Sequence, residues 1–172
     1  ISGKTESEAY EYIIPFLKQK YIDDKEEINK YTNQVNETYE KNFNDACKKM
    51  VELTGKPLYR DDFTTIITTA PRAPYKYENG QTWLPVGWFD PIRIFMHELL
   101  HFQFIHYWKM NQNSPVSKLS DEQFEYLKES LTVILDANLR PLIQMPDRGY
   151  KMHEEFRKEL YNFWETNKNF GR

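Results

Sequence analysis

The sequence predicts an α+β fold: a mainly helical single domain in which a small β-sheet or hairpin precedes a buried helix carrying an HExxH motif. Three observations carry this. Apolar residues recur at three-and-four spacing over residues 24–54 and again beyond residue 120. Between them lies the β-branched run "DDFTTIITTAP". Directly after it comes "DPIRIFMHELLHFQFIHYW", residues 90–108, apolar almost all the way round and holding three of the four histidines.

At 172 residues the chain is long enough for one real core and leaves little room for a second. Residues 1–57 are expected as N-terminal helices, 58–137 as sheet, HExxH helix and a further helix, and 138–172 as a C-terminal helix. Apolar residues make up 40% of the chain and aromatics 16%, which makes a packed interior feasible. A net charge of −3 argues against a nucleic-acid or anionic-membrane partner recognised by a basic face. No run of eighteen apolar residues occurs, so no transmembrane helix is expected. The first residues, "ISGKTESEAY", carry no apolar signal-peptide core, and Cys47 is alone, so no internal disulfide can form. Cys47 reads as a buried structural thiol. These features favour the cytoplasm, although a chain opening on Ile1 leaves room for processing ahead of it.

In order along the chain, "SEAYEYIIPFLKQKY" reads as a helical stretch interrupted or kinked near Pro15. A longer helix over residues 24–54 follows, stopped by Gly55 and Pro57. A strand is expected over residues 63–69. "APYKYENGQTWLPV" then resembles a hairpin whose two-residue turn is Asn79-Gly80, with Pro71, Pro74 and Pro85 at edge or terminating positions. Asp90 and Pro91 are a good cap and first residue for a helix running to about residue 110. Ser120 and Gln123 form a capping box for a helix through about residue 137, "LRPLIQMPDRGY" is a loop, and a last helix covers about 151–166.

The chemistry lies in "HELLH". Residues four apart on a helix share a face, so His97 and His101 can reach one ion. Glu98, about 100° further round, sits beside that ion as a general base for a metal-activated water. Three protein ligands with a water in the fourth position make a catalytic zinc site. Packing alone explains the motif poorly, because burying two imidazoles and a carboxylate without partners costs roughly 1–3 kcal/mol per group.

His106 is excluded as third ligand. It follows His97 by nine residues (106 − 97), about 180° round the same helix, and no glycine turns the chain between them. Glu98 and His101 form an E-x-x-H pair, but a di-iron bundle needs a second such pair, and none exists. The third ligand is therefore sought on the helix after Ser120. There Glu129 points away from the core stripe of Phe124, Leu127, Leu131, Ile134 and Leu135, with Glu125 as the alternative.

"HELLH" followed 28 residues later (129 − 101) by "ESLTVILD" on a separate helix resembles the gluzincin zinc metallopeptidases, most of all their minimal single-domain forms. The match covers roughly residues 60–137. The resemblance implies a zincin-like fold, one zinc ion (Zn2+) on His97, His101 and Glu129, Glu98 polarising the water, and a peptide or protein substrate held extended along an edge strand. Many such enzymes carry an acid four residues after the ligand glutamate, orienting a zinc histidine. Here that position is Val133, and Asp136 is the expected substitute. The oxyanion donor that these enzymes use would come from His153 first or Tyr150 second. The expected function is a zinc metallopeptidase, conceivably latent. The alternative is an inactive zinc-binding module acting through protein–protein contacts, with His153 closing the site as a fourth ligand.

Overall fold

The computed structural model describes residues 2–168. Six α-helices and three short strands are defined: α1 (Glu6–Asp23), α2 (Lys25–Thr54), β1 (Thr64–Thr68), β2 (Tyr75–Lys76), β3 (Gln81–Pro85), α3 (Pro91–Phe104), α4 (Asp121–Leu131), α5 (Val133–Asn138) and α6 (Glu154–Asn167). The architecture is mainly helical with one three-stranded sheet, an α+β arrangement.

α3 is the axis of the molecule. Eleven of its residues are buried. Ile92, Phe95, Met96, Leu99, Leu100 and Phe102 pack in one cluster with Ala46, Met50 and Leu53 of α2, Ile134 and Leu135 of α5, and Trp164 of α6. A helix covered on nearly every side must be apolar nearly all round, which is the pattern its sequence has. Its buried Gln103 spends both ends of its amide usefully: Oε1 accepts from Tyr59 N (2.9 Å) and Nε2 donates to Pro57 O (2.8 Å). These bonds tie the turn after α2 to the central helix.

β3 lies in the middle of the sheet, parallel to β1 and antiparallel to β2. The β2–β3 connection is not the expected two-residue turn. Tyr77–Asn79 form a 3-10 turn and only Gly80 is left-handed, with φ 60°. The Arg60 side chain lies against that glycine, where a Cβ would come within 2.6 Å of it.

Two helical expectations are also revised. α1 runs unbroken through Pro15, so no interruption occurs there, and it buries no residue. Tyr10, Tyr12, Phe16, Tyr21 and Ile22 of α1 all stand exposed. The single helix expected from Ser120 onward is two, broken at Thr132. Cys47 is half-buried against the core, where burial pushes its thiol up to about 11. No helix among the described residues is long and apolar enough to cross a membrane.

Candidate metal centre

His97 and His101 project from α3 toward α4, as their four-residue spacing requires. Their rings meet edge to face with centroids 4.4 Å apart. With Glu98 they bring ligand atoms within 4.8 Å of one another, a group able to hold a metal ion. Glu129, on the last turn of α4, faces both rings at once. Its Oε2 lies 3.6 Å from His97 Nε2 and its Oε1 3.8 Å from His101 Nε2. Glu98 instead lies 3.3 Å from His101 Nδ1, on the other edge of that ring. The two Nε2 atoms and the Glu129 carboxylate thus form the converging set, with Glu98 beside it. Glu125 is turned outward, more than half exposed and paired with Lys128 at 2.7 Å.

The donor set fits a metal. Ligands at 2.0–2.1 Å in a tetrahedron sit about 3.3 Å from one another, close to the separations between Glu129 and the imidazoles. Both nitrogens of His101 and Oε2 of Glu98 are buried with no hydrogen-bond partner. Buried polar atoms are seldom left unpaired, and a cation held among these groups would satisfy them.

The residue that orients His97 was not found from the sequence. Asp136, the expected partner, does not touch a histidine; its Oδ1 accepts from the backbone N–H of Asp147 (2.7 Å). Asp147 itself makes the contact, with Oδ2 at 2.6 Å from His97 Nδ1. This fixes Nδ1 as the hydrogen-bonded nitrogen and turns Nε2 toward Glu129. Asp147 is buried, and its Oδ1 meets Thr132 Oγ1 (2.9 Å) and Arg157 Nη2 (3.3 Å), while its carbonyl accepts from Arg157. Gly149, at φ 60°, leaves the room that the Arg157 guanidinium fills; a Cβ there would stand 2.7 Å from it. The loop is anchored at its other end by Asp90. That residue caps α3 as expected and also accepts from Gln144 N (2.6 Å) and Met145 N (2.9 Å).

Electrostatics follow from this packing. Burial alone would depress His97, but the Asp147 carboxylate, with Glu129, outweighs it and holds the imidazole up at about 10. Burial and the neighbouring His97 charge push His101 well down, so its imidazole is neutral. Burial pushes Glu98 up to about 7, with His97 opposing. Glu129 is held down at about 2: burial works against this, and His97, His101 and Lys128 prevail. Asp147 is held well below the usual carboxylate range, against its burial, by His97 and then Arg157. Lys128 is a buried counter-charge 3.6 Å from Glu129 Oε1, donating to Tyr75 Oη (2.7 Å).

The cluster opens onto a cleft of about 1060 Å³. The cleft is lined by residues 71–74, by Gly87, Trp88 and Phe89, by the loop at 145–150, and by His97, Glu98 and Glu129. Tyr150 lines this cleft and is exposed. His153 does not line it; the ring is buried against Tyr126, with centroids 4.4 Å apart. Of the two, Tyr150 is the one on the cleft. His106 is bonded through Nδ1 to Tyr77 Oη (2.8 Å), as a histidine outside the cluster should be.

Asp147 gave little signal in the sequence. It is an isolated acid in a Pro- and Gly-rich loop, and helical spacing from Glu129 cannot reach a residue brought in by a loop. Comparison with protein-family models, curated proteins and solved structures yields no match to this chain.

Proposed function

We propose that the protein is a metal-dependent peptidase of gluzincin type, with zinc on His97, His101 and Glu129. The observation that carries this reading is the Glu129 carboxylate facing both Nε2 atoms at 3.6 and 3.8 Å, in an open cleft that Glu98 also lines. The metal, when bound, supplies Lewis acidity: it polarises the scissile carbonyl and acidifies a water.

The remaining work falls to the chain's own residues. Glu98 takes the proton of the attacking water. In the metal-free chain burial holds this carboxylate up at about 7, and a base near neutrality can both accept and return a proton. Its proton then passes to the leaving amine as the C–N bond breaks. Asp147 holds His97 in one tautomer and one orientation. Tyr150, on the cleft wall, is the phenol available to the developing oxyanion. The wall at 71–74 leads into β2, an edge strand, and suits an extended substrate. Pro71 and Pro74 carry no N–H, so Arg72 and Ala73 are the main-chain donors there.

An inactive module with a closed site is less well supported, since His153, the residue that would close it, is not on the cleft. The test is hydrolysis of a peptide library by the zinc-loaded chain. Glu98→Gln should keep zinc and lose turnover by at least about 100-fold. Undiminished turnover in that variant would remove Glu98 as the base, and no cleavage by the zinc-loaded wild type would remove the peptidase reading.

A further inference from the structure

Charge on the cleft wall differs from charge on the chain as a whole. The chain is acidic, with 26 Asp and Glu against 23 Lys and Arg. The acidic residues lining the cleft are Glu98, Glu129 and Asp147, all committed to the histidine cluster. Every other charged residue on the lining is an arginine: Arg72, Arg93 and Arg148.

The three come from different segments of the chain and line the same cleft as His97. Arg72 lies between β1 and β2, Arg148 on the loop next to Asp147, and Arg93 on α3 one turn ahead of His97. Arg72 and Arg148 are exposed and make no hydrogen bond or ion pair within the described residues. Arg93 is only loosely engaged: Nη1 is 3.8 Å from Asp147 Oδ2, and Nε is buried without a partner.

A guanidinium offers planar, paired N–H donors that match a carboxylate edge to edge. Two uncommitted ones lining one cleft, whose only carboxylates are those of the histidine cluster, make a field that attracts anions and repels cations. We propose that this cleft selects peptides bearing carboxylates, with Arg72 and Arg148 as the residues that read them. The carboxylate can be an Asp or Glu side chain or the peptide's own C-terminus. The proposal rests on the peptidase reading for its substrate class, but its binding arm does not depend on turnover.

The test uses labelled peptides of one length in three versions, rich in Asp/Glu, in Asn/Gln, or in Lys, each as free acid and as C-terminal amide. Binding to the zinc-loaded Glu98→Gln chain is read by fluorescence anisotropy. The Asp/Glu peptide should bind at least about 10-fold tighter than its Asn/Gln counterpart, as charge-assisted hydrogen bonds imply, and the preference should shrink with added salt. Arg72→Glu with Arg148→Glu should abolish it, in a variant that keeps the wild-type unfolding transition because both side chains are exposed. A preference that survives amidation assigns side-chain carboxylates, and one lost on amidation assigns the C-terminus. Equal affinity for acidic and neutral peptides, tighter binding of the Lys peptide, or an undiminished preference in the double variant would overturn the proposal. Acidic peptides bound but left intact by the wild type would remove the peptidase reading and leave this one standing. Cleavage without acidic preference would do the reverse.

Discussion

His97 carries two demands that pull against each other. As the proposed metal ligand it must present an unprotonated Nε2, yet Asp147 and Glu129 hold its pKa up at about 10 in the metal-free protein. At neutral pH a metal therefore displaces a proton to bind. We expect zinc uptake between pH 6.5 and 9 to release about one proton per chain, with affinity rising as pH rises. Calorimetry in buffers of differing ionisation enthalpy measures this, and uptake without proton release would contradict it. The same shift acts on stability in the opposite sense. A group raised in the folded state stabilises fully below its unfolded pKa, about 6.5, and loses that contribution as pH climbs through the folded value. The melting temperature of the metal-free protein should accordingly fall between pH 6.5 and 10, and much less with zinc bound. At this scale the sequence was readable where residues share a helix: His97, Glu98 and His101 are related by helical spacing alone. Asp147 is 50 residues from His97 (147 − 97), on a loop, and no local rule links them.

At the scale of elements, the site depends on how α4, α5 and the loop before α6 are stapled together. Arg157 of α6 reaches the carbonyls of Glu129 and Ser130 with Nη1, Thr132 Oγ1 at 2.6 Å, and Asp147. It caps the end of α4 where the chain turns into α5, so the break at Thr132 has a polar partner and not a propensity for its cause. Nothing in the local sequence of residues 121–138 marks that break, because the residue responsible lies 25 positions away (157 − 132). Arg157 and Asp147 are both buried, with side-chain exposures of 6% and 3%. Arg157→Ala should lower unfolding stability by about 3–5 kcal/mol, since it takes the closer guanidinium from a buried carboxylate and leaves it His97, Thr132 and the more distant Arg93. Urea unfolding of the metal-free variant reads this directly. Asp147→Asn keeps the shape but removes the charge, and zinc affinity should drop about 10- to 100-fold, as loss of a hydrogen-bonded partner of a ligand histidine does.

For the whole molecule, the class of fold was legible because it follows from pattern: period-3.6 stretches on both sides of one β-branched run, and a central helix apolar over most of its surface. The details that failed are those set by tertiary context. The β2–β3 turn is wider than Asn79-Gly80 alone suggested, a 3-10 turn over Tyr77–Asn79 closed by Gly80, with Arg60 packed against that glycine. Pro15 lies within α1 without ending it. α1 contributes nothing to the core, for none of its residues is buried. A chain beginning at Asp24 should therefore keep its unfolding midpoint and its zinc, a result that circular dichroism and metal analysis would check together. Removing α1 and losing the cooperative transition would mean that the core described above is incomplete.

The most direct measurement is metal content by elemental mass spectrometry on the folded wild type, His97→Ala and Glu129→Ala, reconstituted side by side with excess zinc and then desalted. About one zinc per wild-type chain, lost in both variants, is the expected result. A folded wild type that holds no zinc, or a Glu129→Ala protein that holds it as well as the wild type, would contradict the metal centre on which the proposed chemistry stands.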